Sequence, residues 1–372
     1  MDDVTIKRAE LLQVAMSPLE PMVAAHGVIA ERPVILLRVW DADAAFGWAE
    51  CVAFPKPGYV NETVDSAWTV LQAGIIPAVL NRPFETPDDL ADYLAGAMPQ
   101  APIAAATMEM AFWDLVARRQ GRSLANLLGG TRSNVAAGRT IGILKPTDSL
   151  TARVEEARRA GYQRIKIKIE PRKALGTAIE AVKAAEGVPV VADANASFGT
   201  DDVQKLRELD AAGLAWIEQP YSPTSLRASS ELRGSLRTPV ALDESANTLN
   251  AIQRIIDMDA ARALSIKPGR LGGHSAARAA YRMGRAAGLG LWIGGMLETG
   301  IGRAHNLALA SLAGFELPGD MGPSSAYWTR ELLTDPIEMV AGHIAVPTGP
   351  GIGVAVDTEY LMAATLRRAV AG

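Results

Sequence analysis

The chain of 372 residues has little cysteine and little histidine, and each shortage narrows what it can be. Its single cysteine, Cys51, cannot form a disulfide within the chain, which is typical of a protein kept in a reducing cytoplasm. We expect a buried, unreactive thiol, because no histidine or basic residue adjoins it. The four histidines are far apart in sequence: His26, His274, His305 and His343. None forms an H-x-x-x-H pair, which argues against a histidine-rich zinc site.

The sequence also lacks a basic excess and long apolar runs. Lys and Arg number 37 against 41 Asp and Glu, a net charge of -4. Such a balance argues against a nucleic-acid partner. The first residues hold no apolar core of a signal peptide, and no stretch offers the ~18 clean apolar residues that a membrane helix needs. We therefore expect a cytoplasmic protein without a membrane or nucleic-acid partner.

What is present is the composition of a globular protein, with 49% hydrophobic and 21% charged residues. The length predicts two domains. The first third reads as mixed α+β, with strands predicted at 5–14 and 33–40 and a helix at 108–119. Phe112 and Trp113 in that helix are predicted core residues from their helical spacing.

From about residue 135 the pattern changes to short apolar runs that alternate with amphipathic helices. The runs cover 164–169, 188–192, 214–217, 239–242, 263–266 and 289–294. Short runs without strict alternation indicate strands buried on both faces. Strand and helix alternating at a steady period predict a parallel sheet, and this many units favour a closed barrel over an open sheet. Neither a dinucleotide fingerprint nor a Walker A motif is present.

Charged residues occur near the ends of these runs at regular intervals. Lys168, Asp193, Glu218, Asp243 and Lys267 follow one another at spacings of 25, 25, 25 and 24 residues. We expect equivalent positions at the carboxyl ends of successive strands, where barrel enzymes keep their chemistry. Lys166 lies two residues before the first of them and should point to the same side. Taken singly, each residue has an ordinary reading as a helix cap or a charged edge.

Taken together, the charged residues indicate a metal-assisted proton transfer. Three converging carboxylates repel one another unless a cation neutralises them. Oxygen ligands without histidine or cysteine suit Mg²⁺, with Mn²⁺ as a second choice. Such a metal binds a substrate carboxylate and stabilises the enediolate left when the α-proton is removed, with a lysine as the base. Two lysines on opposite faces of the substrate would racemise or epimerise it, whereas one basic lysine with one cationic partner would catalyse an elimination. A non-catalytic barrel is disfavoured, because all five charged positions are filled.

Five motifs resemble the muconate-lactonising subgroup of the enolase superfamily in order and spacing. They are K-x-K at 166–168, DAN at 193–195, IEQP at 217–220, LDES at 242–245 and IKPGRLGG at 266–273. The resemblance implies a (β/α)7β modified TIM barrel with an α+β capping domain. Residues 1–132 would form the cap, 133–328 the barrel, and 329–372 a segment that returns to the cap. Enolase-superfamily sites use a Lys or His base with Mg²⁺.

The resemblance also implies roles for individual residues. Mg²⁺ would bind Asp193, Glu218 and Asp243, Lys168 and Lys267 would be the acid/base pair, and Lys166 a positive neighbour. Candidates for contact with the small-molecule carboxylate substrate, or for support of the site, are Asn195, Glu244, Thr140, His26, Tyr59, Met296 and Glu298. We also expect a homo-oligomer.

Further motifs resemble o-succinylbenzoate synthases and N-succinylamino acid racemases: GGMLETGIGRAHN at 294–306, LPGD at 317–320 and VPTGPGIGV at 346–354. The D-x-D pair of dipeptide epimerases is incomplete, as Asp320 is followed by Met321 and Gly322. Met22 and His26 stand where this family often has phenylalanine, and Ala326 where it often has arginine. These departures concern the substrate. The resemblance favours racemisation of N-succinyl or other N-acyl amino acids. The alternatives are o-succinylbenzoate synthesis by dehydration, as in the menaquinone pathway, or another racemase, epimerase or cycloisomerase reaction of the subgroup.

Overall fold

The computed structural model describes residues 3–24, 27–145 and 147–372. The N-terminal region contains a four-stranded antiparallel sheet in the order Thr365–Ala371, Arg8–Met16, Arg32–Trp40 and Phe46–Cys51. The strands predicted at 5–14 and 33–40 are therefore confirmed. The last strand of the chain lies in this N-terminal sheet, so the C-terminal segment does return to the cap. The boundaries at 132 and 328 remain predictions.

Helices cover one face of the cap sheet. They are Val64–Val70, continued by Leu71–Ile75 and Ile76–Val79, then Pro87–Ala97 and Pro102–Arg119, whereas the buried residues of Leu124–Leu128 join the cluster on the barrel side. Short strand pairs flank the sheet, Val4–Thr5 with Pro83–Phe84 and Met22–Ala24 with Gly27–Ile29. Alternate residues of the sheet separate two apolar clusters: Leu11 and Leu37 pack with these helices, while Leu12 and Leu36 join the cluster that continues into the barrel. The sheet is therefore buried on both faces.

The helix predicted at 108–119 starts six residues earlier, at Pro102. Its residues 103–117 are all buried, including Phe112 and Trp113 as predicted. The early turns are rich in alanine, so they carry no apolar stripe that periodicity could detect, and Pro102 supplies the favoured first residue. Cys51 is buried as expected, and burial raises the pKa of its thiol to about 11.

The middle of the chain forms seven parallel strands, each hydrogen-bonded to the next in chain order. The strands are Gly138–Ile141, Arg164–Lys168, Val190–Asp193, Trp216–Glu218, Val240–Leu242, Ala263–Ile266 and Gly290–Ile293. The helices that follow them are Leu150–Arg159, Ala174–Ala185, Val203–Glu208, Leu226–Ser235, Leu249–Asp257, His274–Ala286 and Gly300–Ala310. The predicted barrel of strand–helix units is confirmed.

An extended segment, residues 317–320, closes the barrel between the seventh and first strands. The N–H groups of Leu317 and Asp320 donate to carbonyls of the seventh strand over 3.3 and 2.9 Å. On its other side Gly319 forms hydrogen bonds of 3.3 and 2.9 Å with residues 136 and 138. The segment takes the eighth position of the barrel, and its last residue, Asp320, lies at the same end as the charged residues of the other strands.

Two carboxylates of the cap hold the starts of two barrel helices. Glu109 accepts hydrogen bonds of 2.8 Å from the backbone N–H groups of His274 and Ser275. Glu50 accepts from the N–H groups of Thr299 (2.9 Å) and Gly302 (3.2 Å). An anion at a helix N-terminus satisfies free N–H groups and the helix dipole. These bonds fix the cap over the last two barrel units. No helix in the part of the chain described here is both long and apolar enough to cross a membrane.

Candidate active site

A cleft lies where the cap meets the carboxyl ends of the barrel strands. It encloses about 760 Å³, including its opening to solvent. Ten of the predicted site residues line it: Tyr59, Thr140, Lys166, Lys168, Asp193, Asn195, Asp243, Lys267, Met296 and Glu298. Glu218 lies beneath the cleft, fully buried. The structure therefore brings together residues spread over 240 positions of sequence.

The strand register explains the regular spacing of the charged residues. Lys168 is the sheet partner of Asp193, which in turn is the partner of Glu218. Glu218 pairs with residue 241, so Asp243 lies two positions further along its strand direction. A shift of two positions keeps the side chain on the same side of the sheet. The same shift recurs at Lys267, since Leu242 pairs with Leu264.

Each predicted metal ligand is paired with a lysine. Lys168 Nζ lies 2.7 Å from Asp193 Oδ2, and Lys267 Nζ lies 2.9 Å from Asp243 Oδ2. Lys166 Nζ lies 2.9 Å from Glu218 Oε1. Mutual repulsion of the carboxylates, which the spacing pattern implies, is thus offset by cations of the chain itself. The two lysines predicted as acid and base stand at opposite ends of the carboxylate row, four strands apart.

Burial and charge act on these carboxyl groups in opposite directions. Burial, helped by the nearby Asp193 charge, raises the pKa of Glu218 to about 8. Burial alone would also raise the pKa of Asp193, but Lys168 and Lys166 hold it below its usual value. In the same way Lys267 and Arg270 outweigh burial and keep the pKa of Asp243 well below its usual range. A further cation near Glu218 would therefore be favourable.

The donor set fits a hard divalent cation. Among the residues the structure describes, no three carboxylates, imidazoles or thiols already stand together as a metal group, and each predicted ligand instead contacts a lysine. However, the buried oxygens Asn195 Oδ1 and Glu244 Oε2 receive no hydrogen bond from any described residue. Buried acceptors without a donor favour a cation or water. Asn195 Nδ2 donates to Glu244 Oε1 over 2.9 Å, so both predicted supporting residues lie together beside Asp193.

Tyr59 enters the site from the cap, as predicted. Its hydroxyl donates to Asp243 Oδ2 over 2.7 Å and accepts from Lys267 Nζ and from Arg270 Nη1, the latter over 2.9 Å. Burial and the Asp243 charge raise the pKa of Tyr59 well above its usual value, so the phenol stays neutral. Arg270 was not among the predicted site residues. It lies in the motif at 266–273, and its place one short turn after Lys267 was the available signal.

Asp320 was also missed as a site residue. Its carboxylate accepts from Lys166 Nζ over 2.8 Å and from the guanidinium of Arg164. Burial would lower the pKa of Lys166, but Asp320 and Glu218 together raise it far above its usual value. These carboxylates thus favour the charged form of Lys166.

The loop at 295–299 forms one wall of the cleft. Glu298 Oε2 accepts from the backbone N–H of Met296 over 2.8 Å, and its Oε1 accepts from Asn306 over 3.0 Å. Both oxygens of Glu298 therefore hold the loop. Between these two residues Leu297 adopts a φ of +59°, a strained conformation for a branched side chain. Thr140 lines the cleft, whereas His26 lies outside the described residues.

Away from the lysines the cleft is mostly apolar. Its lining there comprises Ile29 and Phe54 of the cap with Leu297 and Met321 of the barrel region. Arg303 also lines it and stacks on Tyr327, with 4.5 Å between the guanidinium carbon and the ring centroid. The site can hold a carboxylate at its charged end and an apolar group at the other.

Comparison with known proteins places this architecture in a family. Residues 149–360 match the enolase C-terminal domain-like model, and residues 8–129 match the N-terminal domain of mandelate racemase and muconate lactonizing enzyme. The chain is 37% identical over 358 residues to an o-succinylbenzoate synthase of Geobacillus kaustophilus, covering 96% of this chain and 95% of that protein.

It is also 38% identical over 346 residues to an N-succinylamino acid racemase of Thermus thermophilus, covering 92% of each. Among solved structures, a member of the enolase superfamily from Listeria innocua superposes with a TM-score of 0.95 at 29% identity, over 99% of both chains.

Proposed function

This chain belongs to the enolase superfamily, and we propose that it racemises N-succinyl or other N-acyl amino acids. It has the two domains of mandelate racemase and muconate lactonizing enzyme. Its relatives include o-succinylbenzoate synthases and N-succinylamino acid racemases. The observation that carries the proposal is the placement of Lys168 and Lys267 at opposite ends of the buried carboxylate row. Two bases on opposite sides of one substrate carbon can invert it.

The carboxylates Asp193, Glu218 and Asp243 would hold Mg²⁺, or Mn²⁺ in its place. That cation, when bound, supplies the positive charge that makes a proton α to a carboxylate acidic. Lys168 takes the α-proton from one face of the substrate, and Lys267 returns a proton to the other. Lys166 keeps its charge throughout and stabilises negative charge on the substrate. The capping domain excludes water from the cleft, with Tyr59 closing it above Asp243.

Deuterium exchange tests this proposal directly. N-succinyl amino acids are incubated with the protein and Mg²⁺ in D₂O, and loss of the α-proton signal is followed by NMR. We expect exchange with wild type and its loss, by about a thousandfold or more, in Lys168→Ala for the enantiomer whose α-proton faces Lys168. The matched control is Lys205→Ala, a half-exposed lysine paired with Asp202, which should exchange at the wild-type rate. Exchange that survives a chelator would contradict the metal-dependent mechanism.

A second candidate is o-succinylbenzoate synthesis, which starts with the same proton removal and ends with loss of water. The contacts of Lys267 favour it: Tyr59 and Asp243 hold this ammonium in place, as a cationic partner for a single base requires. The two activities can reside in one site because they share the first step. The predicted homo-oligomer and cytoplasmic location remain predictions.

A further inference from the structure

Hydrogen bonds join four charged side chains in series, Arg164, Asp320, Lys166 and Glu218, and the proposed proton transfers do not use Arg164 or Asp320. Asp320 Oδ2 accepts from Lys166 Nζ over 2.8 Å and from Trp292 Nε1 over 3.2 Å. Asp320 Oδ1 accepts from Nη2 of Arg164. Lys166 Nζ also donates to Glu218 Oε1 over 2.9 Å. These hydrogen bonds thus link Arg164 to Glu218, a predicted metal ligand.

Arg164, at one end of this series, lies in an apolar environment. Arg164 is fully buried, and its guanidinium carbon lies 5.6 and 6.0 Å from the ring centroids of Trp216 and Trp292. Its Nε and Nη1 have no hydrogen-bond partner among the described residues. A Cβ at Gly138 would stand 2.7 Å from Nη2 of Arg164, so only glycine leaves room for it there. A buried cation is costly unless it is paired, so Asp320 is the anion that Arg164 requires.

At the other end of this series, Lys166 would compete with the proposed metal ion for carboxylate oxygens. Lys166 Nζ lies 2.9 Å from Glu218 Oε1 and 3.6 Å from Asp193 Oδ2. Asp193 and Glu218 are proposed ligands of the divalent cation, which would therefore compete with the ammonium for them and repel it. Lys166 then needs an anion that the metal does not claim. Asp320 is such an anion, since Arg164 donates to its Oδ1 and both Lys166 and Trp292 donate to its Oδ2.

We propose that Asp320 and Arg164 are positioning residues that hold Lys166 beside the metal: Asp320 anchors the ammonium, and Arg164 anchors Asp320. The proposal rests on the proposed role of the three carboxylates in binding a divalent cation. Its consequence is that the site accepts Mg²⁺ and the Lys166 cation together. Without the anchor, the ammonium would remain on Glu218 and exclude the metal.

A double-mutant cycle read by calorimetry of Mg²⁺ binding, without substrate, tests this. We expect Asp320→Asn to weaken Mg²⁺ binding about tenfold, a typical coupling between neighbouring groups. Lys166→Met removes the competing cation and should bind Mg²⁺ at least as tightly as wild type. Adding Asp320→Asn to Lys166→Met should then change the affinity by less than about twofold, because the aspartate acts only through the lysine.

A matched control separates positioning from general loss of stability. Asp114 is another buried carboxylate paired with an arginine, Arg118, over 3.1 Å, but in the cap. Asp114→Asn should lower the thermal midpoint and leave the Mg²⁺ affinity unchanged. Should Asp320→Asn not fold, Trp292→Phe removes one hydrogen bond to Asp320 and should weaken Mg²⁺ binding about threefold.

Each outcome has one meaning. Equal Mg²⁺ affinity in wild type and Asp320→Asn overturns the proposal, as does a loss that persists in the Lys166→Met background. With Trp292→Phe in use, unchanged affinity overturns it too. A wild-type protein that binds no Mg²⁺ would refute the proposed metal function and this proposal with it, whereas wild-type binding with an unresponsive Asp320→Asn refutes positioning alone.

Discussion

Lys267 is held by two hydrogen-bond acceptors, Asp243 and Tyr59. Asp243 accepts a hydrogen bond from its ammonium over 2.9 Å, and the neutral hydroxyl of Tyr59 accepts another. Both contacts favour a fixed cation, while racemisation needs the same nitrogen to give and take a proton. A substitution that keeps the positive charge but cannot exchange a proton therefore separates these two roles of Lys267.

Lys267→Arg makes that separation, because arginine stays protonated in proteins. We expect racemisation of an N-succinyl amino acid to fall by about a thousandfold, within the range of general acid–base effects. Dehydration to o-succinylbenzoate, where a cation is enough, should fall by only about tenfold. Polarimetry follows the first activity and ultraviolet absorbance of the product the second. Equal losses of both would contradict this division, and Lys205→Arg serves as the surface control.

Sequence spacing identified the site residues that occupy the repeated position on successive strands. Asp193, Glu218 and Asp243 were found in this way because one repeat of the barrel is about 25 residues long. Arg270 follows Lys267 by only three residues, and Asp320 ends the short closing segment, which has no apolar run to mark it as a strand. Asp320 meets Lys166 across 154 residues of sequence, and no local pattern encodes a contact of that range.

At the scale of elements, the helix His274–Ala286 shows how the cap depends on barrel geometry. The residue before this helix, Gly273, has a φ of +117°, and a Cβ there would overlap the carboxylate of Glu109. Glu109 accepts the first two N–H groups of the helix. Glycine is therefore required twice at one position, for its backbone conformation and for the approach of a side chain from the cap.

Gly273→Ala should lower the free energy of unfolding by about 3 kcal/mol or more, from backbone strain and from the displaced, buried Glu109. Gly288, just beyond the other end of the same helix, has a φ of +70° with open space around its Cβ position. Gly288→Ala carries the strain alone and should cost about 1 kcal/mol. Urea unfolding of both variants measures the difference, and equal losses would show that the contact with Glu109 contributes nothing.

Sequence patterns predicted long or strongly apolar elements and missed the weak ones. The sequence predicts the strands at 164–168 and 263–266, in which four of five positions and all four positions are buried. The segment that closes the barrel, 317–320, contains Pro and Gly and has only four residues, which reads as a turn. The first strand, Gly138–Ile141, carries Arg139 and Thr140 at its centre and so lacks an apolar run. Closure of the barrel fixes both segments through pairing with neighbours.

At the scale of the whole molecule, the cap and the barrel are joined through buried carboxyl groups. Burial raises the pKa of Glu50 and of Glu109 to about 7 each, against the opposing effects of Arg32 on the first and of helix N–H groups on the second. In the unfolded chain both groups return to the ordinary value of about 4.3. The junction between the two regions therefore takes up protons on folding across the range between these values.

The sign of the resulting pH dependence follows from proton counting. Between about pH 4.5 and 7 the folded protein binds more protons at Glu50 and Glu109 than the unfolded chain does, so their contribution to stability falls as pH rises. Their stabilising contribution is fully present below the pKa that they have in the unfolded chain, and it is lost above about pH 7. At about 1.4 kcal/mol per pKa unit, each group accounts for a loss on the order of 3–4 kcal/mol. The double variant Glu50→Gln/Glu109→Gln cannot titrate at either position, so its free energy of unfolding should depend less steeply on pH from 5 to 8 than that of wild type. Urea unfolding at several pH values with a chelator present measures both slopes, and the carboxylates of the cleft contribute equally to each. Parallel slopes would mean that these two carboxyl groups are ionised in the folded protein throughout, and that the hydrogen bonds from the barrel helices outweigh burial.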